Sequence, residues 1–79
     1  MIVGKLYRFI GNHTFNIFPH DQLRQGAYPI KDTFAKTAAE EEIIALCLKY
    51  DQYIEVAYVM LTDGLMGDIM YYPESWREV

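Results

Sequence analysis

Cysteine occurs once among the 79 residues, as Cys47, so no intrachain disulfide can staple this fold and its stability has to come from packing. Serine also occurs once, as Ser75, and there is no glycine-rich phosphate loop, which removes two common frameworks for group transfer. No apolar run approaches the roughly 20 residues that span a bilayer. Lys5 and Arg8 break the apolar stretch from Met1 to Ile10, so it does not read as a signal peptide. Basic residues are outnumbered, seven against eleven acids, and the formal charge of −4 offers no basic stripe for a phosphate backbone. Direct nucleic-acid binding is therefore not expected. The only acidic run, Glu40-Glu41-Glu42, is too short to imitate a nucleic-acid duplex and reads as solvated charge. The expectation is a soluble, unexported protein of a reducing cytoplasm, with no membrane contact.

What the chain has is apolar side chains: 52% of residues are apolar and 15% aromatic, with seven tyrosines. A chain this short holds one domain, residues 1–79, and buries roughly 60–65% of the surface its unfolded form exposes. That leaves no room for a second core. No repeat or low-complexity tract interrupts it.

Ile2 to Ile10 is rich in β-formers, ends at Gly11-Asn12, and reads as the first strand. The stretch from Asn12 to Lys36 carries Pro19, Gly26 and Pro29, so it reads as a long irregular loop with a short strand at Thr14 to Phe18. Phe15, Phe18, Tyr28 and Phe34 supply it with rings to pack. Thr37-Ala38-Ala39-Glu40 has the form of a capping box, and Ile43, Leu46, Cys47 and Tyr50 follow at three- and four-residue steps. The spacing predicts an amphipathic helix over Thr37–Tyr50. Read as a strand, the same run is apolar on both faces, as a central strand would be. Tyr53 to Leu61 is the strongest strand, Thr62-Asp63-Gly64 a tight turn, and Leu65 to Tyr72 the returning strand, with Gly67 marking a bulge or bend. Pro73 to Val79 is a tail that Trp76 can pin.

Chemistry-bearing residues are sparse. Cys47 falls on the apolar stripe and reads as a packed thiol; Ser75, after Pro73, reads as a turn residue. His13 and His20, with Asp21, lack a further ligand at fixed spacing, so no metal or cofactor is expected, and an enzyme would have to be built from these histidines and nearby acids. The tyrosines stand out. Tyr53, Tyr71, Tyr72 and Trp76 are the candidate protein-binding residues, since an apolar ring with a polar tip suits a contact surface as well as the rim of a thin core. Tyr71 and Tyr72 are consecutive, so in a strand they point to opposite faces.

In length, acidity, single domain and absence of a catalytic signature, the chain resembles small phage-encoded accessory proteins that bind host proteins, anti-defence inhibitors among them. That likeness implies a host or phage protein as partner and the bacterial host cytoplasm as location. It implies nothing about individual residues. Gly67-Asp68-Ile69 and Pro73-Glu74-Ser75-Trp76 also resemble the glycine, aliphatic, proline and aromatic run before the last strand of Src-homology-3-like barrels. The paired tryptophans of that family are absent, Tyr53 and Ile54 following Asp51, and the gap from Gly67 to Pro73 is longer, so no polyproline groove is implied.

The expected architecture is α+β: one helix over 37–50 on a small antiparallel sheet whose other face is partly open, with an all-β, Src-homology-3-like barrel as the alternative. The expected function is non-enzymatic protein binding, or else self-association as a homo-oligomeric or virion-associated structural subunit.

Overall fold

Alternation at a two-residue period organises the chain. In β1 (Leu6–Phe9), Tyr7 and Phe9 are buried while Leu6 and Arg8 are exposed. The computed structural model describes residues 1–20, 34–37 and 42–79. Six further strands follow: β2 (Thr14–Ile17), β3 (Phe34–Thr37), β4 (Ile44–Asp51), β5 (Val56–Leu61), β6 (Met66–Met70) and β7 (Trp76–Glu78). Five form an antiparallel sheet in the order β6-β5-β4-β1-β7, and β2 pairs with β3 in a separate ribbon.

The helix expected over Thr37–Tyr50 is overturned, and with it the α+β class: the domain is all-β. Thr37 ends β3 opposite Thr14, residues 38–41 lie outside the described residues, and Ile44 to Asp51 is the middle strand of the five. The physical reason lies in the two-sided apolar run. A helix would bury one stripe of it, whereas a central strand flanked on both sides uses both sets. Ala45 and Cys47 are fully buried on the inner face, and Ile44, Leu46 and Leu48 are half-buried on the outer one. Among the described residues the only helical turn is a 3-10 turn at Pro73–Ser75, and no helix is long and apolar enough to cross a membrane.

The inner face carries the core. Tyr7, Phe9, Cys47, Val59, Ile69 and Trp76 meet there, and β2 closes over them with Ile17 and Phe15. The rings of Phe9, Phe15 and Trp76 lie with centroids 4.6–5.2 Å apart at tilted and edge-on angles, which aromatic quadrupoles favour. The Tyr7 hydroxyl keeps a polar partner by accepting the Ile2 N–H at 2.8 Å. β2 is held to β6 by two backbone bonds of 2.8 Å between Phe18 and Asp68. Gly67 explains that closeness: an added Cβ would collide with the Ile17 side chain and the Phe18 carbonyl. Its role is close approach, not the bulge expected of it.

The bulge sits instead in β4, where the register slips between Cys47 and Lys49. Gly64, at φ +90°, completes the β5–β6 turn, with Asp63 accepting the Leu65 N–H at 2.9 Å. The Pro73-Glu74-Ser75-Trp76 run that carried the barrel resemblance forms the 3-10 turn and enters β7, which pairs with β1. Strand expectations for Ile2–Ile10, Thr14–Phe18, Tyr53–Leu61 and Leu65–Tyr72 are met by β1, β2, β5 and β6 with trimmed ends. Gly26, Tyr28 and Pro29 of the expected loop lie outside the described residues.

Candidate functional site

The four expected contact residues are dispersed by the fold. Trp76 is 6% exposed and belongs to the core. Tyr71 is half-buried, its ring edge-on to Tyr50 at 5.6 Å, and burial first, then the neighbouring Tyr7, Tyr50, Cys47 and Glu74, pushes its phenol above the ordinary value. Tyr53 is 89% exposed at the β4–β5 turn, where its N–H donates to the Asp51 carboxylate at 2.9 Å. Tyr72 is half-exposed on a half-open groove of about 220 Å³ between β2 and the end of β6, with Phe15, Phe18 and Met70. Tyr50 and Tyr53 line one shallow depression, and Tyr72 lines a different one.

The histidines also part company. His13 meets the edge of the Phe9 ring at 5.5 Å. His20 stacks on Tyr58 at 3.8 Å and places Nδ1 2.9 Å from Oδ1 of Asp68, a carboxylate only 2% exposed. A buried carboxylate that fixes an imidazole ring is one half of general-base geometry, but it also anchors a chain segment to a sheet. Asp21 lies outside the described residues. Among the described residues no group of three or more His, Cys, Asp or Glu is placed to hold a metal. Cys47 is buried, its Sγ 3.6 Å from the Lys49 carbonyl, and burial pushes its thiol up, away from a nucleophilic thiolate.

One ordered feature of the surface is one the tyrosines did not point to. Strand pairing sets Leu6 opposite Leu46, Leu46 opposite Met60, and Met60 opposite Met66. Directly paired residues share a face, so these four form one row across β1, β4, β5 and β6, about 14 Å long at roughly 4.8 Å per strand. Leu6, Met60 and Met66 are 37–47% exposed. The row continues onto Val79, whose N–H donates to the Leu6 carbonyl at 3.0 Å.

Charges border the row. On one side Arg8 lies opposite Arg77 on β7, and Arg8 Nε donates to Glu42 at 3.0 Å. On the other, the β4 bulge turns Lys49 to the outer face opposite Tyr58. The signal for the row was present in β1, where Leu6 and Arg8 alternate with Tyr7 and Phe9, and in β5, apolar on both faces. The helical reading of β4 hid the neighbour that joins them.

Comparison with known proteins found no matching family model, no matching curated protein and no matching solved structure.

Proposed function

We propose that the protein is a non-enzymatic protein-binding module whose contact surface is the outer face of the five-stranded sheet. The observation that carries this reading is the in-register row of Leu6, Leu46, Met60 and Met66, half-open to solvent across four strands. A soluble domain gains nothing in its own fold from leaving such a row uncovered, and contiguous apolar surface of this kind marks contacts. Methionine suits it, because a flexible thioether adapts to the shape laid on it. The likeness to phage accessory proteins makes a bacterial protein the expected partner.

The test is affinity capture from bacterial lysate, followed by substitution in the row. Met60→Asp, which adds a charge at a half-open position, is expected to abolish recovery of the captured protein, while Tyr53→Ala leaves it intact. Recovery unchanged by Met60→Asp, in a variant that still melts cooperatively, removes the outer face as the site.

Self-association is the second reading, favoured by β7 ending the sheet with β1 as its paired neighbour. Light scattering at micromolar concentration separates the two: the mass of a single chain excludes it.

A further inference from the structure

We infer that the cleft between β2 and the end of β6 takes an uncharged, extended peptide segment of a partner protein, which adds to the edge of β6 as a strand. This goes beyond the outer-row reading and does not depend on it. The backbone directions carry it. In an antiparallel pair, residues that exchange hydrogen bonds alternate with residues whose N–H and C=O point to the other side. Leu61 donates to the Leu65 carbonyl and Tyr71 to the Glu55 carbonyl, so Leu65, Gly67, Ile69 and Tyr71 face β5. Met66, Asp68 and Met70 therefore present their backbone groups along the other edge.

Asp68 exchanges both of its bonds with Phe18 at 2.8 Å, and the pairing stops at that single rung. The next rung would join Met70 to Asn16. It does not form, because β2 crosses the inner face, where Ile17 sits against Gly67 and Phe15 reaches Phe9 and Trp76. The two edges part and leave the groove of about 220 Å³, with Thr14 and Asn16 on one side and Met70 and Tyr72 on the other. Asn16 lies two residues from Phe18, so its N–H and C=O also turn away from β3. Among the described residues the Met70 N–H and C=O have no backbone partner. Tyr72 keeps extended backbone, at φ −113° and ψ 110°, and Pro73 ends the stretch. The open edge is short.

The lining selects the occupant. Among the described residues no lysine, arginine or carboxylate lines the groove, while Phe15 and Phe18 are half-buried in it and Met70 and Tyr72 are each 47% exposed. An uncharged chain bearing an apolar side chain matches this, and a phosphate finds no cation to meet. The volume is below the roughly 300–1,000 Å³ of pockets that enclose a drug-sized ligand, so a few residues of chain fit better than a cofactor. Edge strands are commonly blunted by lysines or other charged side chains, and Met70 to Tyr72 carries none.

The first test is amide exchange on the free, isotopically labelled full chain. The Met70 amide is expected to exchange about tenfold or more faster than the Ile69 amide, which is bonded to β5. Equal protection of the two means that the edge is already covered, and overturns the inference. A random heptapeptide library displayed on particles is then panned on the full chain, and a retained peptide is synthesised with N-methyl groups on every second residue, in each of the two frames. The peptide is expected to shift the amides of Asn16, Met70 and Tyr72. One frame should weaken binding about tenfold and the other by less than about twofold, since a strand turns alternate N–H groups to its neighbour. Met70→Pro removes the edge N–H without touching the β5 ladder, and is expected to abolish peptide binding while melting stays cooperative. Met60→Asp, in the outer row, should leave the peptide's affinity unchanged, which separates this site from the outer-row contact. Equal weakening in both frames, shifts confined to other amides, or a library that yields no binder overturns the added strand.

Discussion

Both faces of the five-stranded sheet carry apolar rows, the outer one interrupted by Arg8, Lys49, Asp51, Asp68 and Arg77, and their fates are opposite. On the inner face Ala45, Cys47, Val59, Ile69 and Trp76 are sealed by one another and by β2. On the outer face Leu6, Met60 and Met66 stay half-open, bordered by Arg8, Lys49 and Arg77. Alternation tells which residues share a face and not which face is covered, since covering depends on where a distant ribbon lands. The charges decide it here: cations stand beside the outer row, while the inner positions of the central strands hold none.

Substitutions on the two sides should therefore differ sharply. The largest effect belongs to Trp76→Ala, which empties a site against Phe9 and Phe15 and is expected to destabilise by about 3–5 kcal/mol. That is most of the stability of a domain this size, so chemical denaturation should find the variant largely unfolded. Gly67→Ala comes next. Its methyl group pushes β2 off β6, at about 2–3 kcal/mol, and amide exchange should show the Phe18–Asp68 bonds opening before the rest. By contrast Met60→Ser on the outer face should lower the unfolding free energy by no more than about 1 kcal/mol, because that side chain is already partly exposed. A loss as large as that for Trp76→Ala would show that the outer face is covered after all.

Alkaline pH probes the inner side through Cys47 and Tyr71. Burial favours the neutral forms of Cys47 and Tyr71, raising both above their ordinary values of 9.0 and 10.0. The unfolded chain ionises first, so this stabilisation is complete below those values and is lost as pH climbs through the higher folded ones. Above about pH 8.5, once the Met1 α-amino group, held below its ordinary value by burial, has lost most of its proton in both states, the melting temperature should fall, and Cys47→Ala should delay the onset.

Much of the sheet was legible in the sequence, and its middle strand was not. β1, β5 and β6 announce themselves through β-formers and the Thr62-Asp63-Gly64 turn, local signals that tertiary contacts had no cause to override. β4 misled because Ile43, Leu46, Cys47 and Tyr50 match a helical stripe and, equally, two strand faces; of its two hydrogen-bonded neighbours β5 follows directly, but β1, which makes it a central strand, is far away in sequence. The register slip after Cys47 was invisible too, and it alone turns Lys49 outward and Tyr50 inward. Tyrosines drew the search for a contact surface because of what they are, yet an in-register row of Leu and Met exists only once four strands are aligned. Trp76 was legible as a pin for the tail, and the fold places it in the core.

The contrast between the faces is tested most directly by methyl spectra recorded with a soluble nitroxide. The Met60, Met66 and Leu6 methyl signals should broaden strongly while those of Val59 and Ile69 stay sharp. Equal protection of the two sets would contradict the open outer face on which the proposed contact depends.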